Sequence, residues 1–564
     1  MSHPNPSTAM ARAVIDEMAR WGVDFITISP GSRSAALAIA AAEHPAITER
    51  VVLDERSAAF CALGRAKASG RPAAVVSTSG TAPANFFPAV VEADMSLVPL
   101  VVLSADRPDE LRGVGANQTI DQTRLYGNKV RHFVEFPAPD TTDRNDFWRS
   151  QVSAALARAL GLGDKPGPVQ LNLAFREPTV PVVDDGRTLG EPYPHATEGR
   201  EGGARWGDSP IPGPPVAEVD VAGEKRGVVI AGDGRYDRKR LLAAAAALGF
   251  PVLATALSGL RGAAVVSGYH HLLAGGVPDS LRPELIIAIG PLGPSPRLDA
   301  LVSAASIRIR IDYWGRNIDP KRDAAHRLHA DPVATLEALA KKVAADPGWA
   351  AAWEDAEAAL AASVEGYFRS VAVPTGASVA RALNGVSWEY LVAASSLPIR
   401  EVDAHLQRAG FVVANRGASG IDGFVSTGIG VASLGRPTVA LAGDLSLLHD
   451  CNGFLSEGDE GLVIVVLDNG GGGLFDDLPQ ARHAPEYERL FFTPHHRRFS
   501  ELARFHRLGF AEVDKTADVA PAVEEGLQGG GRWLVRVPID RDVDRETRRA
   551  LDELGAAVAD SVET

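Results

Sequence analysis

The sequence holds only two cysteines, Cys61 and Cys451, in 564 residues. Two thiols cannot build a disulfide framework, which fits a reducing compartment. Neither has a neighbouring cysteine or histidine at metal-ligand spacing. Cys61 lies in an Ala-rich helical stretch, where a small core residue is its expected role. No apolar run approaches the roughly 18–20 residues of a membrane-spanning helix. The opening Met-Ser-His-Pro-Asn-Pro-Ser lacks the basic and apolar regions of a signal peptide. These absences lead us to expect a cytoplasmic protein. Positive charge is also short: the formal net charge is −14. That argues against nucleic acid and anionic membrane as partners. Any anionic substrate must then be drawn in by local arginines. Apolar content of 45% and charged content of 23% are ordinary for a soluble globular protein. The length is too great for one core and suits three or four domains.

Short apolar strands alternate with Ala-rich helices, so the expected class is α/β with parallel sheets. Residues 186–225 break the alternation. They are rich in Gly, Pro, Glu and Asp and read as a linker. A second shift falls near 345–375, where a helical segment around Trp349 and Trp353 leads into Val-Pro-Thr-Gly. The expected domains are 1–185, 226–345 and 375–564. The first and third look like distant copies. In the first, strands end at Ser29-Pro30-Gly31-Ser32-Arg33-Ser34, at Ser77-Thr78-Ser79-Gly80-Thr81 and at Leu103-Ser104-Ala105-Asp106-Arg107. In the third they end at Asn415-Arg416-Gly417-Ala418-Ser419-Gly420, at Gly443-Asp444 and at Asp468-Asn469. The central α/β segment has its own strand signals, but Gly232-Asp233-Gly234 is a weak nucleotide-binding fingerprint.

The third segment carries the plainest chemistry. Val-Ala-Leu-Ala-Gly-Asp-Leu-Ser (439–446) is followed by Val-Ile-Val-Val-Leu-Asp-Asn-Gly-Gly-Gly-Gly-Leu-Phe (463–475). Each half is a buried-strand run that ends in an oxygen-bearing side chain. Ligands of open α/β sheets bind at the carboxyl ends of strands. Adjacent strands would bring Asp444 and Asn469 together, with a carbonyl near Gly471. Those hard oxygen donors suit Mg²⁺, or Mn²⁺, with phosphate oxygens and water filling the shell. The glycine run lets backbone approach a ligand. The pair resembles the Gly-Asp-Gly…Asn-Asn motif of thiamine-diphosphate enzymes. Leu445 stands for the third Gly, and Asp468-Asn469 for the Asn pair. Both departures leave the metal donors intact.

Glu55 follows the strand Val51-Val52-Leu53 and opens a helix. An acid there is favourable at any helix start. By resemblance to thiamine-diphosphate enzymes, it is also the acid that hydrogen-bonds the cofactor's aminopyrimidine and so activates the thiazolium carbon. Six further segments sharpen the resemblance. They are Ser-Pro-Gly-Ser-Arg-Ser (29–34), Asp-Glu-Arg-Ser-Ala (54–58), Ser-Thr-Ser-Gly-Thr-Ala (77–82), Ser-Ala-Asp-Arg-Pro (104–108), Ala-Asn-Gln-Thr-Ile (116–120) and Asn-Arg-Gly-Ala-Ser-Gly-Ile-Asp-Gly (415–423). Together they resemble the 2-succinyl-5-enolpyruvyl-6-hydroxy-3-cyclohexene-1-carboxylate synthase family of menaquinone biosynthesis, over nearly the whole chain.

The resemblance implies a three-domain architecture, in which two similar parallel-sheet domains flank a different α/β domain. It implies decarboxylation of 2-oxoglutarate and addition of the resulting carbanion to isochorismate. Ser32, Arg33, Arg107, Asn117, Gln118 and Arg297 would face isochorismate. At 296 the family often has lysine, and here Pro296 stands in its place. Ser396, Arg400 and Arg416 would face the succinyl carboxylate, as planar guanidinium forks suit carboxylates. Gly80, Ile421 and the stretch Gly443, Asp444, Leu445, Ser446 would touch the cofactor with Glu55 and Asn469. Ile421 would be the branched residue beneath it. Leu474 and Phe475 would form an apolar wall that favours loss of CO₂. A homodimer or homotetramer with sites between chains is implied. The alternatives are another enzyme of the superfamily, such as an acetolactate synthase, or a non-catalytic paralogue. His495-His496, followed by Arg497-Arg498, reads as a solvated loop, because no acid sits at ligand spacing.

Overall fold

A computed structural model of the chain describes residues 5–140, 146–182, 199–262, 264–482 and 485–562. Six short strands form the first sheet: β1 (Phe25–Ile28), β2 (Thr48–Val51), β3 (Ala73–Ser77), β4 (Leu100–Asp106), β5 (His132–Phe136) and β6 (Val169–Ala174). All pairings are parallel, in the order β2-β1-β3-β4-β6-β5. β1, β3, β4 and β6 are buried along their whole length. Their continuous apolar runs fit that burial, since helices cover both faces of such a sheet. Alternate residues serve opposite cores. Val76, Val101 and Leu103 meet the Pro6–Arg20 helix and Trp148. Val75, Leu100 and Val102 meet Phe60, Leu63 and Phe86. The edge strand β2, Thr-Glu-Arg-Val, is largely exposed, and its charges discourage pairing with another chain.

This sheet belongs to one compact unit, formed by residues 1–212, 415–436 and 446–460. Inside it the Glu55–Ser69 helix lies against the Phe424–Ala432 helix, backbone to backbone. A Cβ added at Gly64 would fall 2.2 Å from the Thr427 carbonyl oxygen, and one at Gly430 would fall 2.0 Å from that of Cys61. The two glycines therefore set how closely the helices approach.

The second unit comprises residues 213–414, 437–445 and 461–564. Its strand β7 (Gly223–Lys225) lies at the end of the stretch read as a linker. Residues 186–198 of that stretch lie outside the described residues. A five-stranded parallel sheet follows from β8 (Gly227–Ala231), β9 (Val252–Ala254), β10 (Leu285–Ile289), β11 (Ile307–Asp312) and β12 (His326–His329), in the order β12-β11-β10-β8-β9. β7 pairs instead with β13 (Val343–Ala345). Trp349 and Trp353 are buried on the Trp349–Phe368 helix, and the Trp349 indole donates to the Gly227 carbonyl at 2.8 Å. The same unit holds a six-stranded sheet of β14 (Tyr390–Ala393), β15 (Phe411–Val413), β16 (Thr438–Gly443), β17 (Leu462–Asp468), β18 (Gly509–Glu512) and β19 (Arg532–Pro538). It is parallel throughout, in the order β15-β14-β16-β17-β19-β18. Counted from its own first strand, that is the order of the first sheet. The likeness of the first and third segments is therefore one of topology. Among the described residues, no helix is long and apolar enough to cross a membrane.

Gly430→Ala should lower the thermal unfolding midpoint, because overpacking a tight contact costs about 1–3 kcal/mol. An unchanged midpoint in calorimetry would show that the two helices do not need this closeness.

Candidate active site

In the second unit the ends of β16 and β17 lie side by side, with Gly443 paired to Leu467. Asp444 follows directly and is only 2% exposed. Its Oδ1 accepts the Leu445 N–H at 2.6 Å and its Oδ2 accepts the Gly471 N–H at 2.9 Å. Burial pushes the Asp444 carboxyl up to about 6, against the Leu445 N–H and His495, which pull it down. The Asn469 side-chain Oδ1 accepts the same Gly471 N–H at 3.2 Å. The structure therefore gathers Gly443, Asp444, Leu445, Asn469 and Gly471 at one sheet edge. Ser446, counted with the first unit, is buried.

His495 corrects a sequence-based expectation. Its Nε2 lies 3.2 Å from Asp444 Oδ2, not in a solvated loop. The return of the chain places it there: Gly472 N–H donates to the Phe492 carbonyl and His495 N–H to the Gly470 carbonyl. Asp444, Asp468 and His495 each offer a ligand atom within 4.8 Å of the others. Asp468 also accepts from Arg536 Nε at 2.7 Å. The donor set is hard oxygen plus one imidazole, which fits a divalent cation. Leu474 and Phe475 follow on the Gly473–Asp477 turn, half-buried, with the Phe475 ring 5.9 Å from Phe491. Asp476 anchors that turn by accepting from the Tyr487 hydroxyl and Arg541.

Ser396 and Arg400 sit at the start of the Leu397–His405 helix, after β14. Ser396 adopts φ 77° and ψ −132°, a region nearly reserved for glycine. Its carbonyl accepts from Arg400 Nη1 at 2.6 Å. Burial lowers the Arg400 pKa from its ordinary value, with the Glu401 charge opposing. Arg297 is otherwise engaged. It grips both oxygens of Asp552, at 2.8 and 2.5 Å, and donates to the His270 carbonyl. Burial works against the Asp552 charge, yet His271 and Arg297 hold its carboxyl well below the usual range. This clasp competes with any contact between Arg297 and a substrate.

In the first unit, burial and then the Arg107 charge lower the Arg33 pKa, while Glu177 raises it. Arg33 donates to the Phe175 carbonyl at 2.9 Å and meets Glu177 at 3.1 Å. Arg107 donates to Ser79 Oγ at 2.9 Å and to the Asn117 carbonyl at 3.1 Å. The Gln118 amide donates to the Ser79 carbonyl at 3.0 Å, and Gly80 N–H donates to Gln122 Oε1 at 3.0 Å. Gly80, Arg107, Asn117 and Gln118 therefore form one network. Sequence reasoning assigned no role to its two connectors, Ser79 and Gln122, although Ser79 lies within the 77–82 motif and Gln122 just after the 116–120 one. The Ser32 side chain is exposed, and its carbonyl accepts from Thr179. Glu55 is half-buried in the first turn of its helix, which Asp54 caps by accepting the Ser57 N–H at 3.0 Å. Arg416 and Ile421 are half-buried in the loop before the Phe424–Ala432 helix.

Two family models match segments that carry many of these groups, while Arg297, Ser396 and Arg400 lie outside both. One, described as "Thiamine pyrophosphate enzyme, N-terminal TPP binding domain", covers residues 8–125. The other, "Thiamine pyrophosphate enzyme, C-terminal TPP binding domain", covers residues 405–537. The chain is a thiamine-diphosphate enzyme. A curated protein of Thermobifida fusca is 43% identical, over 98% of this chain and 99% of its own length. Proteins of Halobacterium salinarum and Rubrobacter xylanophilus are each 38% identical, over 98% and 97% of this chain and 98% of their own lengths. All three carry the name 2-succinyl-5-enolpyruvyl-6-hydroxy-3-cyclohexene-1-carboxylate synthase. This chain belongs to that synthase family.

Ser396→Gly should raise the thermal midpoint, since a residue held in such a region stores about 1–3 kcal/mol. A lowered midpoint would show that the serine side chain contributes more than its backbone strain costs.

Proposed function

We propose that this protein decarboxylates 2-oxoglutarate on thiamine diphosphate and joins the remaining four-carbon unit to isochorismate. The product would be 2-succinyl-5-enolpyruvyl-6-hydroxy-3-cyclohexene-1-carboxylate, a step of menaquinone biosynthesis. The observation that carries the reading is the strand-end placing of two arginines, Arg33 after β1 and Arg107 after β4, with Arg107 bonded to Ser79 and to the Asn117 carbonyl. Guanidinium groups at the carboxyl ends of parallel strands suit an anionic substrate, and isochorismate carries carboxylates. Near-full-length similarity to proteins of that name supports it.

When bound, thiamine diphosphate supplies the electron sink that accepts the pair left by departing CO₂. Asp444, Asn469 and the Gly471 carbonyl would hold Mg²⁺, or Mn²⁺, against its diphosphate. Gly443, Leu445 and Ser446 would line that end, and Gly80 the other. Glu55 would hold the aminopyrimidine by a hydrogen bond and keep the proton at that ring. Ile421 would prop the cofactor in its bent shape. Leu474 and Phe475 would exclude water from the reacting carbon. Arg400, Ser396 and Arg416 would orient the distal carboxylate of 2-oxoglutarate. Ser32 would join the isochorismate pocket, and Arg297 could do so only by releasing Asp552. The chain would work as a homodimer or homotetramer, with Glu55 of one chain and Asp444 of another serving one cofactor.

With thiamine diphosphate, Mg²⁺ and 2-oxoglutarate, the protein should consume isochorismate, followed by its absorbance. No consumption would refute the reading. Arg107→Ala should raise the KM for isochorismate, and Arg400→Ala that for 2-oxoglutarate. Each lost charge-assisted contact is worth about 1.5–3 kcal/mol, or roughly 10–150-fold. Equal effects of both variants on both substrates would refute the two-pocket map.

A further inference from the structure

Glu92 lies on the Phe87–Ser96 helix, in the first unit, and is 2% exposed. A buried carboxylate is costly unless its lone pairs are filled. Here four donors fill them. Oε1 accepts from Lys67 Nζ at 2.7 Å, from Ser96 Oγ at 2.5 Å and from Gly417 N–H at 3.0 Å. Oε2 accepts from Ala418 N–H at 2.6 Å. Burial pushes the carboxyl up, but Lys67, the Ala418 N–H and Ser96 outweigh it and keep the pKa below its ordinary value.

Two successive backbone N–H groups aimed at one anion form a nest, an arrangement that usually cradles a ligand. In this chain the occupant is a side chain of the protein itself. The nest follows Arg416 directly. The residue before Arg416 is held as well, because Asn415 Oδ1 accepts from the same Lys67 ammonium at 3.1 Å. The Asn415 amide in turn donates to Thr427 Oγ1 at 3.0 Å. The Glu92–Lys67 pair therefore grips the chain on both sides of Arg416. The loop also lies hard on the Glu92 helix. A Cβ added at Gly417 would fall 2.6 Å from Ser96 Oγ and 2.8 Å from Met95 Cβ.

We infer that Glu92 is a positioning residue: its buried carboxylate, paired with Lys67, fixes the backbone of residues 415–418 and so sets where Arg416 presents its guanidinium. The inference rests on the assignment of Arg416 to the carboxylate of 2-oxoglutarate. It adds a residue that lies outside every motif of the site. The family motif explains why Arg416 is present, and Glu92 explains what aims it.

The test uses the full-length protein with thiamine diphosphate and Mg²⁺. Glu92→Gln keeps the shape but has only one acceptor oxygen for four donors. It should raise the KM for 2-oxoglutarate roughly 10-fold, the effect of one misplaced charged contact, and leave the KM for isochorismate unchanged. Gly417→Ala disturbs the same contact from the loop side and leaves the Glu92–Lys67 pair in place, so it serves if Glu92→Gln folds poorly. It should show the same split. Neither change should add to the KM of Arg416→Ala in a double variant. If Arg416→Ala itself leaves the KM for 2-oxoglutarate unchanged, the role of Arg416 fails and the inference falls with it. If Arg416→Ala raises that KM but the other two variants do not, Glu92 only holds the fold. Full additivity in the double variants would likewise overturn the inference.

Discussion

Asp444 carries a carboxylate into a place that water barely reaches, and the arrangement of the third sheet follows from what surrounds it. Removing a charge from water costs several kcal/mol unless other groups take over its solvation. The Leu445 and Gly471 N–H groups and the His495 ring take over part of it. They do so only while the end of β16 and the glycine loop after β17 are held in register, which the parallel pairing from Thr438–Leu462 to Gly443–Leu467 secures. The compensation is incomplete, since burial still pushes the carboxyl up to about 6. A divalent cation on these oxygens would supply the missing charge. That cation would in turn hold a diphosphate at this sheet edge.

The two six-stranded sheets share one strand order and divide the chemistry strand by strand. After the first strand of each come Ser32 and Arg33, or Ser396 and Arg400. After the second come Glu55, or Arg416 and Ile421. After the third come Gly80, or Asp444, and after the fourth come Arg107, or Asn469. Every group follows the carboxyl end of a parallel strand, where open sheets bind ligands. On the proposed function, the first copy would supply Glu55 and the cations for one substrate, and the second would supply the oxygen donors for a metal together with Arg400 and Arg416 for the other. A duplicated scaffold lets each set of side chains be chosen without disturbing the other.

Most of this was legible because it is local. A β-branched run that ends in Gly-Asp announces both a buried strand and what it presents, so the strand ends and the side chains that follow them could be read one at a time. The likeness of the outer segments showed in the spacing of the strand ends, but the shared order of strands needed the pairing. Contacts made across long stretches of chain left no mark. His495 looked solvated because no acid lies near it in sequence, yet the loop after the glycines brings it to Asp444. Arg297 looked available until the C-terminal helix supplied Asp552. Glu92 belongs to no motif, and only the folded loop shows what it holds. The stretch near 345–375 read as a helical break between domains, whereas Trp349 and Trp353 are part of the core beneath the central sheet.

On the proposed function, Glu55 and Asp444 would be two ends of one catalytic site that different chains supply. Mixing inactive Glu55→Gln chains with inactive Asp444→Ala chains tests this directly, with subunit exchange verified by mass. Random pairing leaves about half the dimers with one intact site of two, so roughly a quarter of wild-type isochorismate consumption should return. Continued inactivity after full exchange would place both residues in a single chain's site and contradict the account.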